Sequence, residues 1–428
     1  GSSHCTRRKA PALPRRRGAR VAAVERFLRR LVEGPLAFPL SNNRSHCAAR
    51  AGHTRCMSKQ QWFRPEILGL PAYVPGKKGG NTDVVKLSSN ENPFPALPAV
   101  QAAVSAAVGD LNRYPDMFAT GLIHDISWFH KWVDDGVVVG NGSTALIEKI
   151  LQAVVTPGGE VVLPWRSFEA YPIAVQAAGG AAVKVPLNAD GSHNLPGLLS
   201  AVTERTRALL LCSPNNPTGS ILDEESLDAA AFVAREHGVY IICDDVYRKL
   251  IYEAGYEGFA VRHPELRDRV VVVDSFSKPY AMTGWRLGWL AAAAPIVAKL
   301  SMVHQFAVSS VPSFIQHAAL EALSYDTAAF MEAYRRRRGL VVDALHAMGL
   351  DLVEPQGAFY AFPSIRPFGL TSEEFCERAI EEAGVALVPG SLFGGEGHVR
   401  LSYACDDETL NEGLIRLASF IRALKARS

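Results

Sequence analysis

The sequence predicts an α/β fold: a large domain with a doubly wound, mainly parallel sheet, and a smaller α+β domain. From about residue 137 onward, short Val, Ile and Leu runs alternate with longer segments of helical periodicity. The runs are apolar throughout, which is typical of strands covered on both faces, as parallel strands are. The length of 428 residues also exceeds one minimal domain.

Six strands and three helices are predicted in the large domain. The strands are residues 137–139, 161–163, 208–212, 239–243, 270–273 and 287–291. The helices are residues 144–155, 223–237 and 295–307. Ser143 is predicted as the N-cap of the first helix, because a serine hydroxyl can accept a hydrogen bond from a free amide there. Residues 118–132 do not show the usual helix pattern.

The segments on both sides are predicted to join as the smaller domain. Residues 57–100 are rich in proline, and residues 325–428 contain a long charged helix around 335–338, followed by further strands and helices. We therefore expect an N-terminal arm and part of the small domain at 57–105. The large domain is expected at 106–310 and the remainder of the small domain at 311–428.

The net charge of +2 is unevenly distributed. Residues 1–56 hold 13 Lys and Arg against two acids, whereas the remainder holds 32 against 41. We interpret residues 1–56 as a basic, disordered extension or an artefact of the expressed sequence, because sequence of a different character begins at Met57. A transit peptide and a nucleic-acid-binding arm are the alternatives. The acidic body predicts no nucleic-acid binding, and no apolar stretch predicts a membrane span.

The cysteines give no sign of a metal site or a disulfide framework. Cys5, Cys47 and Cys56 lie in the extension, and the other four of the seven are isolated without CxxC spacing. A reducing, cytoplasmic setting and no bound metal are therefore expected. Cys212 and Cys243 lie in apolar runs and are predicted to be buried, inert thiols.

Chemically reactive side chains follow three of the predicted strands. Asn216 comes after strand 208–212, Asp244 and Tyr247 after strand 239–243, and Ser275 and Lys278 after strand 270–273. Ligands of parallel α/β sheets bind at the carboxyl ends of the strands. One crevice is therefore expected to collect an amide, a carboxylate, a phenol, a hydroxyl and an amine.

These groups together suit pyridoxal phosphate. This cofactor needs a lysine amine for a Schiff base, a carboxylate for its ring nitrogen and donors for its phenolate oxygen. Its phosphate needs an anion cradle, which Gly142, Ser143 and Thr144 can supply at the start of a helix.

In these features the chain resembles the fold-type I pyridoxal phosphate-dependent aminotransferases of class I/II. The resemblance covers the chain from about Arg64 to the C-terminus. Its most specific parts are Asn216-Pro217-Thr218-Gly219, Asp244-Asp245-Val246-Tyr247, and Ser275-x-Ser-Lys278 followed by Arg286. Segments 87–93, 111–116 and 165–171 are most similar to the histidinol-phosphate and aromatic (phenylalanine) aminotransferases.

The resemblance implies the catalytic roles. Lys278 would form the Schiff base and move the proton between substrate and cofactor. Asp244 would pair with the ring nitrogen. Asn216 and Tyr247 would hydrogen-bond the phenolate oxygen.

The resemblance also implies the binding roles. Phe168 would stack on the cofactor ring, and Arg400 would clamp the substrate carboxylate, with Asn216 beside it. Tyr114 would reach the cofactor phosphate of a neighbouring subunit, which implies a homodimer with shared active sites. The remaining phosphate ligands would be Gly142, Ser143, Thr144, Ser275 and Arg286.

The resemblance predicts ping-pong transfer of an amino group from an aromatic amino acid or histidinol phosphate to 2-oxoglutarate. A carbon–sulfur lyase and an aminotransferase for another amino acid are the enzymatic alternatives. A nicotinamide dehydrogenase is a more distant one, suggested by Gly140-Asn141-Gly142; Ala145 takes the place of the third glycine of a dinucleotide motif, a position that alanine can occupy. A nicotinamide dehydrogenase would have no common function for Lys278 and Asp244.

Overall fold

The structure, a computed structural model, describes residues 62–71 and 83–427. The basic extension at residues 1–56 lies outside the described residues. Within the described ranges, no helix is both long and apolar enough to cross a membrane.

The described residues form twelve β-strands. They are β1 (Val85–Lys86), β2 (Val137–Gly140), β3 (Glu160–Trp165), β4 (Ala181–Pro186), β5 (Thr206–Cys212), β6 (Tyr240–Asp244), β7 (Val270–Ser275), β8 (Gly288–Ala291), β9 (Tyr360–Ala361), β10 (Val385–Ala386), β11 (Val388–Pro389) and β12 (Val399–Ser402). Seven of them build one sheet in the order β2-β8-β7-β6-β5-β3-β4. Strands β3 to β7 run parallel to one another in this sheet, whereas β8 is antiparallel to both β2 and β7.

The predicted doubly wound, mainly parallel sheet is confirmed, including all six predicted strands. The sequence analysis missed β4, which is the edge strand. Its residues are mostly exposed or half-buried, with Val185 alone fully buried. An edge strand of this kind lacks the continuous apolar run from which the buried strands were predicted.

Thirteen α-helices lie among the described residues. They are α1 (Pro65–Leu68), α2 (Pro98–Ala107), α3 (Thr120–His130), α4 (Ser143–Val154), α5 (Ala170–Ala177), α6 (Leu195–Ser200), α7 (Glu224–His237), α8 (Phe259–Arg262), α9 (Ala294–Val308), α10 (Ser313–Leu323), α11 (Ala328–Ala347), α12 (Ser372–Ala383) and α13 (Asp407–Arg427). The three predicted helices correspond to α4, α7 and α9.

One detail of the predicted helices was wrong, and one further helix was not predicted. Residue Gly142, with φ of 90°, is the N-cap of α4, so Ser143 is the first helical residue and its side chain makes no capping bond. Helix α3 occupies the segment in which no regular helix pattern was found. It buries Leu122 and Ile126 but leaves Trp128 exposed, so its apolar residues do not mark a single face clearly.

The large sheet is covered on both faces. Along β6 and β7, successive residues point to opposite sides, as strand geometry requires. Ile242 and Val271 pack with α4 residues such as Ile150 on one face, whereas Ile241 and Val270 pack against α7 on the other. Both core layers are apolar, which explains why these strands carry uninterrupted apolar runs.

A smaller α+β part is built from both ends of the described chain, as predicted. Strand β1 pairs in parallel with β10, with Val85 opposite Val385. A second, antiparallel sheet has the order β11-β12-β9. Helix α12 begins with a capping box, in which Thr371 and Glu374 each accept from the other's backbone amide. The sheet containing β12 carries Arg400 and therefore contributes to the site described next.

Candidate active site

A cavity of about 370 Å³ opens at the carboxyl ends of β5, β6 and β7. This is the edge at which a parallel sheet is expected to bind its ligand. The predicted site residues that line it are Ser143, Thr144, Phe168, Asn216, Asp244, Tyr247, Ser275, Lys278 and Arg286. The structure thus brings together most of the residues that the sequence placed at three separate strand ends.

Lys278 is partly buried in this cavity. Its Nζ donates to the backbone oxygen of Asn90 at 2.7 Å. Burial, reinforced by the guanidinium groups of Arg400 and Arg286, lowers the pKa of Lys278 to about 8. An amine with this pKa is partly neutral near pH 7, so it can act as a nucleophile toward an aldehyde and as a proton carrier.

Asp244 ends β6 with its carboxylate buried. Tyr171 donates its hydroxyl to Oδ2 of Asp244 at 2.5 Å. Burial raises the pKa of Asp244 to about 6, and the hydrogen bond from Tyr171 opposes this rise. A buried carboxylate facing a ligand cavity fits a protonated ring nitrogen, since a buried charge requires a partner.

An anion cradle lies at the start of α4. The Arg286 guanidinium packs so closely against Gly142 that a Cβ at residue 142 would lie 2.7 Å from Nη2 of Arg286. Arg286 itself has a left-handed backbone, with φ of 53°, and its Nη1 donates to the Thr283 oxygen at 3.0 Å. Together with the first amides of α4 and the hydroxyl of Ser275, this guanidinium fits a phosphate group.

Arg400 projects from β12 and is buried. Its Nη1 donates to Oδ1 of Asn216 at 2.8 Å, and its guanidinium lies 4.8 Å from the ring centre of Tyr360 and 5.0 Å from that of Phe393. Its Nε is buried without a hydrogen-bond partner among the described residues. A donor in this state is suited to an incoming carboxylate, because an unpaired buried charge is unfavourable.

Tyr247 and Phe168 complete the cavity wall. The hydroxyl groups of Tyr247 and Tyr360 are hydrogen-bonded at 2.5 Å, and burial raises the pKa of Tyr247, which remains a neutral phenol. Phe168 packs against the edge of the Tyr171 ring, with ring centres 5.3 Å apart. Tyr171 therefore contacts both a carboxylate and an aromatic ring of the cavity.

Three predicted site residues do not line the cavity. Gly142 and Arg400 adjoin it through Arg286 and Asn216, as described above. Tyr114 lies elsewhere on the surface and is 88% exposed. This exposure is compatible with a role toward a second subunit but does not test one.

Two further cations near the strand ends differ in their pairing. Arg248 donates through Nε to Asp274 at 2.6 Å and contacts His130, so it is already neutralised. Arg166 has no carboxylate partner among the described residues and lies near Arg366. No group of three or more His, Cys, Asp or Glu residues in the described ranges is placed to hold a metal.

Several residues of the site were not predicted from the sequence. Ser89, Asn90 and Glu91 line the cavity although they come from the N-terminal segment, and Tyr360 contacts it through Tyr247. Tyr171 was recognised only as part of a motif, with no role. Its contact with Asp244 joins residues 73 positions apart, and no local pattern in the sequence indicates such a contact.

The chain is similar to known aminotransferases. A family model described as aminotransferase class I and II matches residues 82–417. The aromatic amino acid aminotransferase of Streptomyces coelicolor is 36% identical over 344 residues, which cover 78% of this chain and 91% of that protein. The aspartate aminotransferase of Pyrococcus abyssi is 41% identical over 298 residues, which cover 68% of this chain and 76% of that protein.

A solved structure shows the same architecture. The crystal structure of the aromatic aminotransferase from Pyrococcus horikoshii matches with a TM-score of 0.75 and 36% sequence identity. The match covers 81% of this chain and 97% of that chain.

Proposed function

Since the chain belongs to the class I and II aminotransferases, we propose that it binds pyridoxal phosphate and transfers the amino group of an aromatic amino acid to 2-oxoglutarate. The observation that carries this proposal is the convergence of three features on one cavity. These are the Lys278 amine, the buried Asp244 carboxylate and the anion cradle of Arg286 and Gly142. Together they match the aldehyde, the ring nitrogen and the phosphate of the cofactor.

Pyridoxal phosphate, when bound, supplies an aldehyde that condenses with amines and a pyridine ring that accepts the electrons of a broken C–H bond. Lys278 would hold the aldehyde group of the cofactor and would carry the proton of the substrate Cα. Its lowered pKa keeps a usable fraction of the amine neutral near pH 7. Asp244 holds the proton on the ring nitrogen, and Asn216 and Tyr247 donate to the phenolate oxygen.

The substrate carboxylate binds Arg400. The guanidinium is fixed by Asn216 and by the rings of Tyr360 and Phe393. The names of the Streptomyces and Pyrococcus horikoshii relatives agree with an aromatic donor, whereas that of the Pyrococcus abyssi relative makes aspartate the alternative.

Histidinol phosphate receives less support. None of the relatives named above is a histidinol-phosphate aminotransferase. The phosphate of that substrate needs a further cation; Arg248 is occupied by Asp274, and Arg166 is not among the residues that line the cavity. We therefore place the aromatic amino acids first among the donors.

A homodimer is part of the proposal. Tyr114 is 88% exposed, and Phe118, Met302 and Phe306 are 66%, 50% and 90% exposed. Phe118 lines a groove beside α9, the helix that carries Met302 and Phe306, and Ser310 after this helix donates to the Asp116 oxygen at 2.9 Å. A second copy of this chain would cover these apolar side chains and bring Tyr114 toward its cavity.

The experiment that tests the function separates the two half-reactions. With phenylalanine alone, the visible absorption of the bound cofactor should disappear in proportion to the phenylpyruvate formed, and 2-oxoglutarate should restore it. A carbon–sulfur lyase would instead release pyruvate and ammonia from a sulfur amino acid and keep its absorption. A panel with aspartate and histidinol phosphate completes the test, and a higher kcat/KM for either one would overturn the assignment of an aromatic donor.

A further inference from the structure

Tyr171 has a position in the cavity for which the proposed roles do not account. It lies in the first turn of α5 and is 2% exposed. Its hydroxyl donates to Oδ2 of Asp244 at 2.5 Å, whereas Oδ1 accepts only a longer bond, 3.4 Å, from the Val246 amide. The tyrosine is therefore the closest hydrogen-bond donor to this carboxylate among the described residues.

The same side chain supports a second wall of the cavity. Its ring meets that of Phe168 edge to face, with an angle of 87° between the ring planes. Phe168 and Asp244 both line the cavity. Tyr171 thus fixes two cavity groups that come from different strand ends, β3 and β6.

The charged groups around Asp244 do not by themselves keep it ionised. Burial favours its neutral form, and the like charge of Asp274, on the adjacent strand β7, acts in the same direction. Lys278 acts in the opposite direction, but its own pKa is lowered by burial. Arg248 is bonded to Asp274 and not to Asp244. Asp245, the next residue, is a further buried carboxyl group, and burial raises its pKa to about 7.

The short hydrogen bond from the neutral Tyr171 hydroxyl opposes the protonation of Asp244, because it stabilises the carboxylate more than the carboxylic acid. We propose that Tyr171 is a positioning residue that acts through Asp244; this role rests on the proposed function. Its hydroxyl keeps the carboxylate ionised and aimed at the ring nitrogen of pyridoxal phosphate. The protonation of that nitrogen therefore depends on a residue that need not touch it.

The test compares Tyr171→Phe with Tyr252→Phe. Tyr252 makes a bond of similar length, donating to the Ala358 oxygen at 2.6 Å, but it lies outside the cavity. Each variant removes one largely buried hydroxyl group and keeps its ring; the Tyr252 hydroxyl also lies 3.3 Å from that of Tyr403. The holoenzymes are loaded with pyridoxal phosphate labelled with ¹⁵N in the ring, and the ¹⁵N chemical shift and the dissociation constant of the cofactor are measured at pH 7.5.

In the wild type and in Tyr252→Phe, the ¹⁵N shift should be that of a protonated ring. In Tyr171→Phe it should move toward that of the unprotonated pyridine, and the cofactor should dissociate about tenfold more readily. In an Asp244→Asn background, Tyr171→Phe should have no further effect on the ¹⁵N shift, because the residue through which it acts is gone. Tyr171→Met, which lacks the hydroxyl and fills the site flexibly, should reproduce the shift if Tyr171→Phe does not fold.

An unchanged ¹⁵N shift in both Tyr171 variants would overturn the inference, as would an equal change in Tyr252→Phe. Failure of the cofactor assignment gives a different result, because the wild type itself would then take up no pyridoxal phosphate, and failure of the amino-transfer reaction would show in the half-reaction experiment and not in the ¹⁵N shift.

Discussion

Nη1 of Arg400 donates to Oδ1 of Asn216 at 2.8 Å, although 184 positions separate the two residues. Arg400 belongs to β12 in the three-stranded sheet, and Asn216 follows β5 in the large sheet. The bond therefore joins the two sheets beside the cavity. It orients the guanidinium and leaves Nε without a partner among the described residues, as expected for a residue that awaits a carboxylate.

Replacing Arg400 with lysine should lower kcat/KM for every amino acid and 2-oxo acid substrate by about ten- to a hundredfold. Lysine keeps the charge but cannot bind a carboxylate through two parallel hydrogen bonds, and a lost charged bond costs about 1.5–3 kcal/mol. Steady-state kinetics with both substrates measures the effect. The control is Arg416→Lys, whose arginine pairs with Asp83 and Glu412 outside the cavity. Equal kcat/KM values for Arg400→Lys and Arg416→Lys would contradict this role.

The apoprotein should gain stability when Lys278 is replaced by methionine, and the gain should depend on pH. The Lys278 pKa is about 8 in the folded protein, against an ordinary value of 10.5, so folding favours the neutral amine. The stability that the lysine contributes is present above pH 10.5 and is lost as the pH falls through about 8. The gain in Lys278→Met should therefore be largest below pH 8, at roughly 3 kcal/mol, and shrink toward pH 10.5.

Urea unfolding of the cofactor-free proteins at pH 7 and pH 10 measures this difference. Lys86→Met, at an exposed position of β1, serves as the control and should change the free energy of unfolding little at either pH. A gain in Lys278→Met of the same size at both pH values would show that the amine is not destabilised by burial.

Phe306→Asp should convert the proposed dimer to monomers and reduce activity. The side chain is 90% exposed on α9, and a charge there would have to be desolvated in a subunit interface. Analytical ultracentrifugation gives the oligomeric state. Phe232→Asp, at a 51% exposed position on α7, is the matched control and should leave it unchanged. A monomeric, fully active wild type would contradict both the dimer and the role of Tyr114.

The large sheet was predictable because its strands are buried on both faces. Val270 to Val273, for example, point alternately into two apolar layers, so each residue of the run had to be apolar. The edge strand β4 and helix α3 were missed because each leaves several apolar residues in water. The domain limits near residues 105 and 310 stay predictions.

Some residues of the site were predictable from the sequence and others were not. Lys278, Asp244 and Asn216 stand immediately after buried strands, and the topology of a parallel sheet brings such positions together. Tyr171 and Tyr360 reach the site through tertiary packing onto Asp244 and Tyr247. Packing of this kind has no short-range pattern, and a single sequence therefore shows these two residues only as core aromatics.

Borohydride reduction of the purified holoenzyme tests whether Lys278 binds the aldehyde of pyridoxal phosphate. The visible absorption should disappear on reduction, and mass spectrometry should find the reduced cofactor attached to Lys278 alone. The Lys278→Ala variant should retain no covalent cofactor after the same treatment. A colourless wild type, or a Lys278→Ala variant that still traps the cofactor covalently, would contradict the account.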